Sequence, residues 1–188
     1  MREDSPCLEL ALEIKPAIQR AKCDMPQHIA SVITRQDFAA SADAVWNALM
    51  FYEEVEESLL LVLRAFLPIP IGSQGCKSQV GNEIKCRYIS GHLLKRVTQI
   101  VHGCTYSFEV IEQSLALRRG IKLLGGDYTL RKLSEDRTRV ALTTRYQTPS
   151  RSLWFHRWFE TAVCHSFHRH ILGAIQTNVR RASHRKQK

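Results

Sequence analysis

The stretch SLWFHRWFETAVCHSFHRHILGAIQTNVRR, Ser152–Arg181, decides how the rest of the chain is interpreted. Within it, apolar or aromatic residues follow one another at intervals of four, which is typical of a helix. These residues are Phe155, Phe159, Val163, Phe167, Ile171, Ile175 and Val179. Such a row drifts by about 40° per step around a helix of 3.6 residues per turn. We therefore expect a long helix whose apolar surface is too broad for a single partner helix and needs a sheet to lie on.

The segment 80–148 has the alternation of apolar and polar residues that is typical of antiparallel strands. For example, Leu142 and Tyr146 would share one face of a strand, while Arg145 would lie on the other. One face of the sheet is therefore apolar and aromatic, and the long helix is the segment large enough to cover it. Before these strands, 72–75 is predicted to be a loop. The predicted strands are 82–90, 93–102, 104–113, 121–133 and 137–148.

The first part of the chain predicts one strand and two short helices. The β-branched residues of 28–38 indicate the strand, and Ser41 or Asp43 then supplies the N-cap of the first helix. A second helix is expected over 53–67, where an acidic first turn precedes an apolar body that ends at Pro68. The predicted order is strand, two short helices, a run of strands and a long helix. This order defines an α+β fold.

Length and composition indicate one globular domain. The chain has 188 residues, of which 44% are apolar and 24% are charged, which is ordinary for a single soluble domain. We expect an N-terminal extension over 1–27, either a short helix or an irregular arm, because Pro16 interrupts its apolar pattern. The domain itself is expected over 28–181. A basic C-terminal tail is expected over 182–188.

The positive charge of the chain is concentrated at its end. The formal net charge is +9, and five basic residues fall in the last nine positions, so that 9 − 5 = +4 remains without them. No aromatic residues interleave these basic ones as a single-strand nucleic-acid platform requires, so nucleic-acid binding is not expected. The five basic residues are Arg180, Arg181, Arg185, Lys186 and Lys188.

Other function classes are disfavoured by missing patterns. No apolar run reaches the length of a membrane span, and the acidic N-terminus does not resemble a signal peptide, so a cytoplasmic protein is expected. The six cysteines show no CxxC spacing and are expected to be reduced thiols. No metal and no nucleotide cofactor is indicated.

Several short stretches, taken in order, resemble the SRPBCC superfamily, the START-like helix-grip fold, in its polyketide cyclase/dehydrase-like branch. The resemblance covers about residues 28–181. It implies a curved antiparallel sheet wrapped around a long C-terminal helix, with two short helices after the first strand. It also implies a cavity between sheet and helix that receives an apolar small molecule. The stretches are FAASADAVW over 38–46, YSFEV over 106–110, GGDYTL over 125–130, TTRY over 143–146 and HRHIL over 168–172.

Candidate ligand-binding residues are those that alternation or helix position directs toward this cavity, where they would either line it or fill the core. The long helix also carries His165 and His168, three residues apart, with Glu160 five residues before His165. A metal site would need a third ligand at a suitable spacing, which is missing, so surface or hydrogen-bonded histidines are expected. The candidate ligand-binding residues are Tyr88, Tyr106, Phe108, Tyr128, Tyr146 and Phe159.

Three functions are compatible with these features. The first is a protein that binds an apolar or aromatic small molecule, lipid-like or polyketide-like, in the cavity. The second is a cyclase or dehydratase that uses the same cavity without metal or nucleotide cofactor, with His165 or His168 as the catalytic base. The third is a protein-interaction module that uses the basic tail or the N-terminal arm.

Overall fold

The computed structural model describes residues 27–50, 70–114, 117, 120–149 and 154–186. Within these ranges the chain forms one antiparallel sheet and two helices. The predicted second helix, over 53–67, and the predicted arm before Gln27 lie outside the described residues. The strands are β1 Gln27–Phe38, β2 Pro70–Gly75, β3 Glu83–Tyr88, β4 Gly91–Val101, β5 Thr105–Gln113, β6 Lys122–Ser134 and β7 Arg137–Pro149. The helices are α1 Ala42–Met50 and α2 Trp154–Lys186.

The sheet has the order β1-β7-β6-β5-β4-β3-β2. From β2 to β7, strands that follow one another in the sequence are neighbours, whereas β1 pairs with the last strand. This pairing runs from Gln27 opposite Pro149 to Phe38 opposite Thr138. At its far end the Thr138 hydroxyl donates to the Ala40 carbonyl at 2.9 Å. Strand β1 therefore forms one edge of the sheet, and the last strand, β7, lies between β1 and β6.

Strand β2 corrects the prediction of a loop over 72–75. The segment pairs antiparallel with β3, with a shift in register between Pro70 and Gly72. Proline and glycine argue against a central strand, but an edge strand tolerates both because one side of it needs no hydrogen-bonding partner. Local composition indicated a loop, and pairing with β3 overrides that tendency.

Irregular pairing bends the sheet. The register shifts between Leu94 and Lys95 in β4 and between Leu123 and Gly125 in β6. Such bulges bend a strand and increase its twist. Gly125 has a φ of 151°, and a Cβ there would collide with the carbonyl oxygen of Phe108. The bulge in β6 therefore requires glycine.

The main core lies between the inner face of the sheet and the two helices. Helix α1 begins after Ser41, whose hydroxyl accepts a hydrogen bond from the Ala44 amide at 3.4 Å, so the first of the two predicted N-caps is confirmed. Its residues Trp46 and Leu49 are buried in the same cluster as Leu172 and Ile175 of α2. The core thus joins both helices to the sheet.

Helix α2 confirms the predicted long helix, and only the later part of its apolar row is buried. Along the period-four row, Ile175 and Val179 are buried, Phe167 is half-buried and Phe159 is 37% exposed. Because this row drifts around the helix, its first part moves off the sheet. A different row takes its place there, made of Glu160, Cys164, His168 and Leu172.

The end of α2 also differs from the prediction. The helix continues to Lys186, so much of the segment predicted as a basic tail is helical. The helix therefore extends five residues beyond the predicted end at Arg181.

Candidate functional site

Helix α2 does not cover the whole inner face of the sheet equally. Its main backbone contacts are with β1 and α1, and no other described strand approaches it to that extent. On the strands farther from β1, some inner side chains such as Val97 and Tyr106 are buried, whereas others are only half-buried. We call the half-buried set the inner apolar surface. It consists of Ile84, Phe108, Val110, Leu123, Tyr128 and, on α2, Phe167.

Three of the predicted binding residues meet at this surface. The Tyr106 ring lies 6.3 Å from the Phe108 ring and 6.3 Å from the Tyr128 ring, measured between centroids. Strand alternation and the pairing of β5 with β6 place all three on the same face. Burial raises the pKa of Tyr106 to about 12, so its hydroxyl stays protonated at neutral pH and can both donate and accept.

Lys95 brings a positive charge to the same surface. Its cross-strand partners Ile84 and Val110 both point inward, so Lys95 does too. Its ammonium nitrogen lies 5.1 Å from the centre of the Phe108 ring, within range of a cation–π contact. Lys95 was not among the predicted site residues, although it alternates with the inward-pointing Leu93 and Val97, because a charged residue in a strand is normally expected on the exposed face.

The other predicted binding residues lie elsewhere. Tyr88 is buried in a second cluster with Cys86 and Leu93. Tyr146 is buried on β7, and its pKa is raised first by burial and then by the charge of Glu160. Phe159 is exposed. The structure therefore does not assemble the six predicted residues into one group.

His168 is a fully buried, hydrogen-bonded histidine. It is 0% exposed, and both ring nitrogens have partners. Nδ1 lies 2.8 Å from the Thr34 hydroxyl and Nε2 lies 2.8 Å from the Thr144 hydroxyl. Burial, with a smaller contribution from His165, lowers the pKa of His168 to about 4. His168 is therefore neutral near pH 7.

His165 extends this arrangement into a chain of hydrogen bonds. Its Nδ1 lies 2.7 Å from the Thr34 hydroxyl, which also contacts His168. Thr34 has one hydroxyl proton and can donate it to only one of the two histidines. The histidine that accepts this proton has no hydrogen on its Nδ1. The other histidine must carry a hydrogen on Nδ1 and donate it to the Thr34 oxygen. The tautomers of His165 and His168 are thereby coupled through Thr34.

The two groups of residues lie on different sides of α2. Successive residues of a helix are about 100° apart, so His165 and Phe167 project in nearly opposite directions. His165 contacts β1, which is an edge strand, whereas Phe167 packs with the inner apolar surface and the main core. His165 therefore faces away from Tyr106, Phe108 and Tyr128, whereas His168 is held between β1 and β7 by Thr34 and Thr144.

Glu160 is a buried acidic residue that the sequence suggested only as a possible metal ligand. It is 9% exposed. The Thr148 hydroxyl donates to its Oε1 at a long distance of 3.5 Å, and its Oε2 is buried without a hydrogen-bond partner. Its spacing of four from Cys164 and eight from His168 could have indicated that it shares their face.

Neither a metal cluster nor a membrane span is found in the part of the chain that the structure describes. No group of three or more His, Cys, Asp or Glu side chains there could hold a metal ion. Neither described helix is long and apolar enough to cross a bilayer. The cysteines described, at positions 76, 86, 104 and 164, are free thiols.

Comparison with solved structures identifies the fold. Norcoclaurine synthase from Thalictrum flavum, in complex with a transition-state analogue, matches with a TM-score of 0.57 at 15% identity, over 84% of this chain and 98% of that one. A START superfamily protein from Mycobacterium smegmatis matches with a TM-score of 0.55 at 10% identity, over 81% and 98%. An aromatase/cyclase from Streptomyces matches with a TM-score of 0.52 at 12% identity, over 86% and 97%.

These similarities confirm the START-like helix-grip fold that the sequence motifs indicated. No protein-family model matches the sequence, and no curated protein matches it. At such low identities the similarity concerns the arrangement of the sheet and the long helix. The fold alone does not determine the function, which depends on the side chains of the site.

Proposed function

We propose that this START-like protein binds an apolar or aromatic small molecule on the inner apolar surface. The observation that carries this proposal is that Phe108, Val110 and Tyr128 point inward yet are only half-buried. Helix α2 makes its main contacts at the other side of the sheet, so it leaves this apolar surface incompletely covered. Covering it with a ligand would stabilise the complex by about 2.5 kcal/mol for every 100 Å² of apolar area removed from water.

A few polar groups on the same surface would orient the ligand. The hydroxyls of Tyr106 and Tyr128 can each donate and accept a hydrogen bond. Lys95 adds a single positive charge next to the Phe108 ring. An apolar surface with few polar groups is the usual composition of a small-molecule site.

The structural neighbours support binding of a small molecule in this fold. The norcoclaurine synthase structure holds a transition-state analogue, and another neighbour is an aromatase/cyclase. A cyclase or dehydratase is therefore the alternative for this protein. It would need a general base beside the ligand. His168 has both nitrogens occupied and His165 faces β1, so the geometry favours binding over catalysis by these histidines.

Two apolar ethers without hydrogen-bond donors test the proposal: methoxynaphthalene, which is aromatic, and dodecyl methyl ether, which is aliphatic. Each would be titrated into the protein and followed by NMR. We expect at least one to bind and to shift the resonances of Val110 and Leu123. If neither ether binds, and neither does the hydroxyl compound from which each ether is derived, the proposed function is wrong.

A pair of neighbouring substitutions locates the site. Val110→Phe fills part of the inner apolar surface, and we expect it to weaken ether binding about tenfold, which corresponds to about 1.4 kcal/mol. Ile111→Phe adds the same ring at the exposed neighbouring residue of the same strand and should leave binding unchanged. Equal effects of the two substitutions would place the ligand elsewhere.

A further inference from the structure

Glu160 is a polar side chain whose burial the folded chain does not explain. It is nine-tenths buried on α2, where a polar atom is normally hydrogen-bonded. Oε1 receives one long bond from Thr148, and Oε2 receives none. Leaving a buried carboxyl oxygen without a donor is unfavourable to folding. A residue that lowers the stability of the fold in this way is a candidate for a role in binding.

The position of Glu160 connects it to the inner apolar surface. Seven residues, almost two full helical turns, separate it from Phe167, so the two side chains project in about the same direction. Tyr146, whose pKa is raised in part by Glu160, is paired with Leu123 across β6 and β7. Both Phe167 and Leu123 belong to the inner apolar surface. Glu160 therefore lies where that surface meets the part of α2 packed on β7.

The described side chains around Glu160 do not give its Oε2 a hydrogen-bond donor. Glu160 affects the pKa of Tyr146 only through its charge, whereas hydrogen bonding by Thr161 lowers that pKa. Burial raises the pKa of the Cys164 thiol to about 11, so this neighbour is a neutral thiol and only a weak donor. Arg157, one turn earlier, is exposed. A ligand with an O–H or N–H group would complete the hydrogen bonding.

We propose that Glu160 is the polar anchor of the site, and that its Oε2 accepts a hydrogen bond from a hydroxyl or amine of an otherwise apolar or aromatic ligand. This inference rests on the proposed function and narrows its ligand class. A site with a buried acceptor discriminates against an analogue that lacks the donor, because the acceptor is then left unpaired. The protein should thus prefer an alcohol, a phenol or an amine to the corresponding ether.

The test compares each ether with its parent hydroxyl compound. Naphthol and methoxynaphthalene differ only by the methyl group that removes the donor, and dodecanol differs from dodecyl methyl ether in the same way. In the unmodified protein we expect the hydroxyl compound to bind at least tenfold more tightly than its ether. We also expect the carboxyl carbon of Glu160 to shift in NMR spectra when the hydroxyl compound binds, and not when the ether binds.

Glu160→Leu removes the acceptor and provides a second readout. A leucine removes the unpaired Oε2 but also takes away the acceptor of the long Thr148 hydrogen bond. The two effects oppose each other, so we expect the ligand-free variant to unfold at about the same denaturant concentration. Its preference for the hydroxyl compound should fall to less than twofold, while ether binding remains. Glu135→Leu, at an exposed residue in the hairpin between β6 and β7, is the matched control and should keep the preference.

The outcomes separate this inference from the proposed function. If neither ether nor hydroxyl compound binds, the proposed function fails and the anchor fails with it. If the ether and the hydroxyl compound bind equally well, the binding function stands and the role of Glu160 is wrong. A loss of stability in Glu160→Leu with an unchanged ligand preference would show that Glu160 serves the fold instead.

Discussion

At the scale of single residues, the most constrained group is the chain Thr144–His168–Thr34–His165. Its hydrogen bonds are between 2.7 and 2.8 Å long, and its central imidazole is removed from solvent. A buried imidazole with both nitrogens paired fixes the position of α2 on β1 and β7. Its role in this structure is to orient the helix.

Replacing Thr144 by valine tests this role. Thr144→Val keeps the shape of the side chain but leaves His168 Nε2 without its hydroxyl partner, and we expect a loss of about 1–3 kcal/mol in the free energy of unfolding. Thr143→Val, the next residue on the opposite face of the strand, is the control and should change stability by less than about 0.5 kcal/mol. Urea unfolding measures both. Equal losses would contradict the hydrogen-bonding role.

The pKa of His168 predicts how stability depends on pH. An unfolded histidine binds its proton near its ordinary pKa of 6.5, whereas folded His168 binds it only near about 4. Between these values the unfolded state carries more protons, so stability falls as the pH falls. We expect His168 to account for a loss of about 2 kcal/mol between about pH 7.5 and pH 5.

The measurement is urea unfolding across that pH range, together with an NMR titration of the His168 ring. His168→Leu should show a flatter dependence over the same interval. A ring that takes up its proton near pH 6.5 in the folded protein would show that the histidine is not isolated from water as the structure indicates.

At the scale of elements, strand β6 sets the bend of the sheet. Its bulge falls at Gly125, where the backbone has a positive φ and passes close to Phe108 of β5. The turn signals and alternation in the sequence predicted β3 to β7 well, because these features depend on neighbouring residues. The bulges were not predicted, because they depend on how one strand meets another.

Gly125→Ala and Gly173→Ala should have opposite effects on stability. At Gly125 an added Cβ meets the backbone of Phe108 and Glu109, so we expect a loss of at least about 2 kcal/mol. At Gly173, within α2, no atom lies within 4 Å of an added Cβ, and alanine is the better helix former, so we expect a gain of about 0.5–1 kcal/mol. Denaturant unfolding of both variants measures this difference. A neutral Gly125→Ala would mean that the bulge can relax.

Helix α2 shows why the site was harder to predict than the fold. The period-four row established that a helix exists, but a row that drifts cannot establish which part of it faces the sheet. The buried positions of Glu160 and His168 follow from packing against Thr148, Thr144 and Thr34. Those contacts join residues far apart in the sequence, so no local pattern reveals them.

At the scale of the whole molecule, one sheet and two described helices account for the core. The order of elements and the START-like fold could be predicted, because each strand from β3 to β7 and the long helix has its own local pattern of apolar residues in the sequence. The grouping of Tyr106, Phe108 and Tyr128 was also predictable from alternation. The partial covering of the inner apolar surface depends on the global curvature and was not predicted. Lys95 was missed for a different reason, because its charge argued against an inward position that alternation with Leu93 and Val97 allows.

Removal of residues 1–26 tests the predicted division into an extension and a domain. We expect the shortened protein to keep the stability of the full chain within about 0.5 kcal/mol, because the described core uses residues from Gln27 onward. Thermal unfolding of both forms, with the methoxynaphthalene titration repeated, measures the effect. A marked loss of stability or of ligand binding would assign the first 26 residues to the domain.

The pairing of β1 with β7 has a consequence for how the protein is made. During synthesis β1 leaves the ribosome first, but its partner is complete only once Pro149 has been added. Contacts between such distant residues form late and slow folding. Until then Ile29 and Ile33, which remain exposed even in the finished fold, belong to a strand with no neighbour. The nascent chain therefore has a long interval in which β1 is open to chaperones or to strands of other chains.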